Sequence, residues 1–127
     1  MLFRSESIRF ERVGGGDEIE FYLYPTENSD KIEVMVYRYH GQVSTNQFFI
    51  DKSIDNSSVF SSFHDAINSR AQINGSFKQT SVPTGTWLFI YVISNSKETE
   101  ITNTELRNSL LKFERIVKDH FQEEVAN

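Results

Sequence analysis

The chain of 127 residues contains no cysteine, only two prolines and no long apolar run. Without cysteine it forms no disulfide, no thiolate nucleophile and no cysteine-based zinc site. Its longest apolar stretch, residues 87–93, is far shorter than the roughly 20 residues that cross a bilayer. Basic clusters are also missing and the pI is near 5.2, which argues against nucleic acid as a direct ligand.

The first ten residues are charged from Arg4 onward and lack the apolar run of a signal peptide. We therefore expect a cytoplasmic protein with no membrane contact. Hydrophobic residues make up 38% of the chain, including eleven phenylalanines, which is typical of a globular protein. At this length we expect a single α+β domain over residues 1–127, with a substantial buried core.

No recognisable catalytic or cofactor motif occurs in the sequence. The glycine triplet at residues 14–16 is followed by Asp17 and Glu18, which would repel a phosphate group. No nucleophile motif such as Gly-x-Ser-x-Gly occurs. The histidines lie too far apart for a local metal motif: His40, His64 and His120. We expect no catalytic residue, no cofactor and no metal.

Apolar and polar residues alternate over residues 7–13, 18–24 and 31–39, which predicts three strands joined as a β-meander. The predicted register sets Phe10 beside Phe21 in the first hairpin and Leu23 beside Ile32 in the second. Both hairpins then turn all the apolar alternates to one side of the sheet: Ile8, Phe10, Ile19, Phe21, Leu23, Ile32, Val34 and Val36.

The rest of the chain predicts a fourth, less regular strand at 42–51, a helix around 59–71, and strands at 77–82 and 86–94. An exposed connector over 94–104 leads to a long final helix, opened by a capping box from Thr102 to Glu105. The predicted fold is an antiparallel sheet of five or six strands with two amphipathic helices on one face. Its element order is β-β-β-(β)-α-β-β-α.

Negative charge is concentrated in the meander. Residues 17–33 carry six carboxylates and one lysine, which sum to the net charge of the whole chain, −5. These acids interleave with large side chains on the face opposite the helices: Tyr22, Tyr24, Met35, Tyr37 and Tyr39. Aromatic residues and methionine are enriched in protein interfaces. Tyrosine and glutamate are also common on a sheet face in contact with water. The same pattern is therefore compatible with a solvated face without a partner, or with a face that packs in a homodimer.

We predict from this pattern a non-catalytic protein that masks a basic protein partner, a toxin or an effector. By analogy with other small acidic α+β domains, the leading hypothesis is an immunity protein that neutralises a nuclease-type bacterial toxin. The acids would steer and pair with lysine or arginine, and the tyrosines would pack. The predicted partner-binding residues are Glu18, Glu20, Tyr22, Glu33, Tyr37 and Tyr39.

Two alternatives remain. Over residues 7–124 the element order resembles that of type III secretion chaperones, which implies a small acidic dimer that holds an unfolded effector. The other alternative is a small-ligand or enzymatic domain, in which an aromatic pocket is lined by Trp87, Phe89 and Tyr91. In that reading His40 would serve as the base.

Overall fold

The structure is a computed structural model that describes residues 5–79 and 85–126, with side chains as far as residue 122. Its elements are β1 (Glu6–Val13), β2 (Ile19–Pro25), β3 (Lys31–Tyr39), β4 (Gln42–Asp51), α1 (Ser57–Ile67), β5 (Trp87–Ser94), β6 (Lys97–Glu100) and α2 (Thr104–Ala126). The strands form one antiparallel sheet in the order β4-β3-β2-β1-β5-β6. The predicted α+β fold and its element order are confirmed.

Both helices pack against the apolar side of the sheet. Phe60 and Phe63 of α1 meet Phe113 of α2, with ring centroids 6.1 Å apart in each pair. All three rings are fully buried, together with the alternating strand residues of the meander. Helix α2 is capped by Asn103, whose Oδ1 accepts the backbone N–H of Leu106 at 3.0 Å, rather than by Thr102. The other side of the sheet, which carries no helix, is called the open face below.

The register of the first hairpin is as predicted, and that of the second differs. Phe10 lies opposite Phe21, with the rings stacked at 4.6 Å. Leu23 lies opposite Val34 instead of Ile32, a shift of two residues. Because side chains alternate with a period of two, this shift leaves the same residues on the buried side.

A β-bulge reverses the alternation near the end of β3. The pairing of β2 with β3 slips between Glu20 and Phe21, so Tyr37 is an extra residue in β3. Beyond the bulge, Tyr39 points to the helix side and stacks on Phe121 of α2 at 4.2 Å. The prediction that Tyr39 lies on the same face as Met35 and Tyr37 is therefore wrong.

The sixth strand comes from a different segment than predicted. Residues 77–79 form no strand, and the remainder of the predicted strand at 77–82 lies outside the described residues. Strand β6 forms instead within the segment predicted to be a connector. Asn95 and Ser96 join it to β5 with φ angles of 51° and 70°, the backbone of a two-residue type I′ hairpin turn.

Candidate functional site

The side chains of the open face stand in rows, because cross-strand partners in an antiparallel sheet lie directly opposite one another. The central row consists of Gln47, Met35, Tyr22, Arg9, Tyr91 and Glu100. An adjacent row consists of Arg38, Glu20, Glu11 and Phe89. The face therefore places one guanidinium at its centre, with aromatic rings on both sides and carboxylates around it.

Aromatic rings form two clusters on this face. On β2 and β3, Tyr22 stacks on Tyr24 at 6.0 Å and meets the edge of Tyr37 at 5.2 Å. On β5, Phe89 stacks on Tyr91 at 6.2 Å. Since Phe89 and Tyr91 lie opposite Glu11 and Arg9, β5 contributes these aromatic side chains to the open face.

Arg9 contacts several side chains at the centre of the open face. Its guanidinium donates to both carboxylate oxygens of Glu98 at 3.1 and 3.2 Å, and it lies 3.3 Å from Glu20 and from Glu11. It also lies over the ring of Tyr91, 4.5 Å from the centroid. Burial alone would lower the pKa of Arg9, but its hydrogen bonds to Glu98 and the surrounding carboxylates raise it. The cluster is a fixed positive charge within a ring of three negative ones.

Each predicted acidic residue already has an interaction within the chain. Glu20 belongs to the Arg9 cluster. Glu18 lies 3.6 Å from Arg38, and both side chains are exposed. Glu33 is buried at 8% exposure between its cross-strand neighbours and accepts a hydrogen bond from the side-chain amide of Gln47. The side chains of Glu18 and Glu20 are therefore partly accessible to solvent on the open face, whereas that of Glu33 is buried.

Of the three predicted tyrosines, the open face holds two. Tyr37 is 41% exposed, whereas Tyr22 is partly buried among its neighbours. Burial raises the pKa of Tyr22, and likewise that of Tyr91, because the phenolate form would lose solvation; nearby Arg9 opposes the shift in both. Tyr39 is on the opposite side, as described above.

Alternation with Ile8 and Phe10 predicts that Arg9 and Glu11 lie on this face, and the structure places them there, although they are not among the predicted partner-binding residues. Sequence reasoning missed Phe49 and Glu98 as contributors to the face. Glu98 could not be found from the sequence, because no apolar alternation marks β6. Phe49 adjoins a buried pair, Phe48 and Ile50, and is itself more than half exposed.

A second polar cluster lies at the end of the sheet, on the helix side. The guanidinium of Arg12 donates two hydrogen bonds of 2.8 Å to the carboxylate of Glu114 in α2. Lys118 of the same helix lies 3.2 Å from Asp17, which is 3.7 Å from His40. These contacts hold α2 close to the turn between β1 and β2 and to the turn between β3 and β4.

The structure does not bring His40 to the rings of β5. His40 follows β3, and two strands separate β3 from β5, a distance of about 14 Å at normal strand spacing. In the described ranges, no group of three or more histidine, aspartate or glutamate side chains is arranged to hold a metal ion. His40 and the rings of β5 therefore do not line one pocket.

No family model, no curated protein and no solved structure matches this chain. Over the described residues, no helix has the length and apolar character needed to span a membrane.

Proposed function

We propose that the protein is a non-catalytic binding protein whose open face covers a basic protein partner. The observation that carries the proposal is a sheet face free of both helices, on which aromatic clusters flank a group of carboxylates. Aromatic side chains are enriched in protein interfaces and among the few residues that carry most of the binding energy, and a charged surround accelerates encounter.

The two aromatic clusters and the carboxylates have different roles in the proposal. The rings of Tyr22, Tyr37 and Phe89 would lose water on binding and provide the packed centre. Glu98, Glu11 and Glu20 would attract lysine or arginine side chains of the partner, because one guanidinium leaves their combined charge negative. Arg9 would hold these carboxylates in fixed positions, which reduces the entropy lost on binding.

The more specific proposal is an immunity protein that occludes a nuclease-type toxin. The active site of such a toxin binds phosphate groups through basic side chains, and carboxylates can occupy the same positions. Glu11 and Glu20 face each other directly across β1 and β2, with the Arg9 guanidinium 3.3 Å from each. In the proposal this pair of carboxylates would occupy positions that the toxin uses for phosphate groups.

Affinity capture from the native cells at low salt, followed by reconstitution with the purified partner, tests the proposal. The variant Tyr37→Lys/Glu98→Lys adds a positive charge at one exposed position of the face, reverses the charge at another, and leaves Glu20 to hold Arg9. We expect a 1:1 complex whose affinity falls at least 30-fold in this variant, about 2 kcal/mol. The complex should also weaken as salt increases.

The matched control is Leu111→Lys/Glu105→Lys, which makes the same charge change at exposed positions of α2. It should bind like the unmodified chain. Equal loss of binding in both variants, or in neither, would remove the open face from the proposal. A captured partner that has no toxic activity in cells lacking this chain would refute the immunity role and leave the binding role in place.

A further inference from the structure

The most exposed apolar side chains of the open face lie on its β3–β4 side. Tyr37 of β3 is 41% exposed, and Val43 and Phe49 of β4 are 87% and 54% exposed. Val43 and Phe49 project to the open face, since they lie opposite Arg38 and Glu33. A partner that covers this side of the face therefore removes apolar side chains from water.

The ionised groups on the same side of the face include cations as well as carboxylates. The ammonium group of Lys31 lies 3.1 Å from Asp51 and 5.9 Å from the ring centroid of Phe49. The guanidinium of Arg38 lies 3.6 Å from Glu18. A basic group of a partner that approached β3 and β4 would be repelled by these two cations, which offsets its attraction to the carboxylates.

The opposite side of the face, formed by β1, β5 and β6, is negatively charged. Glu11 of β1 and Glu98 of β6 share the guanidinium of Arg9. Glu100 of β6 projects to the same face, since it lies opposite Tyr91. Because β2 and β3 separate β1 from β4, the acidic side begins about 14 Å from the apolar side chains of β4.

We infer that a basic partner binds the open face in one orientation, with lysine or arginine side chains over β1 and β6 and an apolar part of its surface over Phe49 and Tyr37. The inference rests on the proposed function and extends it, since it assigns the two kinds of contact to different strands. The reversed orientation places the partner's basic groups beside Lys31 and Arg38 and its apolar groups beside Glu98, which is unfavourable for both.

The two sides of the face then affect different rate constants. Rings that lose water in the contact mainly determine how slowly the complex dissociates, whereas accessible charges mainly determine how fast it forms. Phe49 is the anchor that this assignment adds to the proposed function, because its ring is large and more than half exposed.

Stopped-flow kinetics with the partner purified by the low-salt capture described above test the apolar side. Phe49→Ala should raise the dissociation rate at least about tenfold and change the association rate less than about twofold. Ile54→Ala is the matched control, because it removes an exposed apolar side chain from the segment between β4 and α1. It should change neither rate. Circular dichroism confirms that each variant is folded.

The same measurement tests the acidic side. Glu98→Gln/Glu100→Gln should lower the association rate at low salt at least about threefold and change the dissociation rate less than about twofold. Added salt should abolish the difference in association rate. Asp65→Asn/Glu105→Gln makes the same charge change at exposed positions of the two helices and should leave both rates close to those of the unmodified chain.

Photo-cross-linking reports the orientation directly, because the chain has no cysteine and a single introduced one can be labelled. A benzophenone at Val43→Cys should react with an apolar segment of the partner. A benzophenone at Lys97→Cys, an exposed position of β6, should react with a segment that contains lysine or arginine. Mass spectrometry of the cross-linked peptides identifies both segments.

Equal dissociation rates for Phe49→Ala and Ile54→Ala would overturn the inference, and so would cross-links in the reverse arrangement. The proposed function would still stand in either case if Tyr37→Lys/Glu98→Lys weakens the complex. Unchanged binding in both Phe49→Ala and Tyr37→Lys/Glu98→Lys would refute the inference and the proposed function together.

Discussion

The ion pair between Arg12 and Glu114 joins the first strand to the last helix at the level of single residues. Glu114 is buried, and the two hydrogen bonds from Arg12 provide its principal compensation. Arg12→Met should lower the free energy of unfolding by about 2–3 kcal/mol, because it leaves a buried carboxylate without that partner. Urea denaturation measures the change.

The same measurement on Arg12→Met/Glu114→Leu should show that most of the loss is recovered, since an apolar pair needs no charge compensation. Arg38→Met removes the exposed pair with Glu18 and is the control, with an expected loss below about 1 kcal/mol. Equal losses in Arg12→Met and Arg38→Met would show that burial of Glu114 does not determine the energetics.

Tyr22 and Tyr91, the tyrosines beside Arg9, should lose their protons at higher pH in the folded chain than in the unfolded chain. Burial raises the pKa of Tyr22 and of Tyr91 in the folded chain, while an unfolded tyrosine has a pKa of about 10. The folded state therefore retains these protons more strongly. The stabilisation is complete below pH 10 and is lost as the pH rises through the folded pKa values.

Ultraviolet titration of the phenolates measures this difference, with the urea-unfolded chain as the reference. Tyr22→Phe and Tyr91→Phe should each remove one late-titrating group from the folded curve. Coincident curves for the folded and unfolded chains would contradict the prediction.

At the scale of whole elements, the alternation of apolar and polar residues predicted where strands lie. It did not predict the bulge at which that alternation is interrupted. Apolar residues occupy every second position within β1, β2 and most of β3, as Phe10, Phe21 and Val34 illustrate. Their burial then determines which side of the sheet faces the helices. The bulge at Tyr37 has no such sequence pattern, because it depends on how β2, β3 and β4 fit together. Strand β6 lacks an apolar alternate and forms because the Asn95–Ser96 turn directs it back along β5.

The bulge makes Tyr37 and Tyr39 a test of the face assignment. Tyr39→Ala should reduce the free energy of unfolding by about 2 kcal/mol, because it removes the packing against Phe121. Tyr37→Ala should reduce it by less than about 1 kcal/mol, since that ring is largely at the surface. Binding of the partner should respond in the opposite way, with Tyr37→Ala weakening the complex and Tyr39→Ala leaving it unchanged.

Urea denaturation and a binding titration on the same two variants provide both measurements. Loss of binding in Tyr39→Ala at a temperature where it is fully folded would place the contact surface near α2 instead of on the open face.

At the scale of the whole molecule, composition predicted an acidic surface but not how its charges are compensated. The cluster of acids in residues 17–33 is evident from the sequence, whereas the partners of Glu20 and Glu33 lie on neighbouring strands, 11 and 14 positions away. Arg9 reaches Glu98 across 89 positions of the chain, a contact that only the strand order β2-β1-β5-β6 creates. The sequence therefore predicted the side of the sheet on which most of these residues lie, but not the residues that compensate their charges.

Compensation by Arg9 leads to a prediction about association kinetics. Arg9→Gln makes the net charge one unit more negative than −5 and releases Glu11, Glu20 and Glu98 toward solvent. If the carboxylates steer a basic partner, the association rate at low salt should increase by about two- to fivefold. The increase should disappear as added salt screens the charges. Stopped-flow mixing with the captured partner measures both effects.

Lys112→Gln makes the same charge change on the exposed side of α2 and separates net charge from its location. Its association rate should stay close to that of the unmodified chain, because Lys112 lies on a helix on the other side of the sheet and its interaction with a partner at the open face falls with distance. A slower association for Arg9→Gln would mean that the guanidinium itself contacts the partner. In that case the face would recognise an acidic group at its centre, and the partner would not be uniformly basic where it meets the sheet.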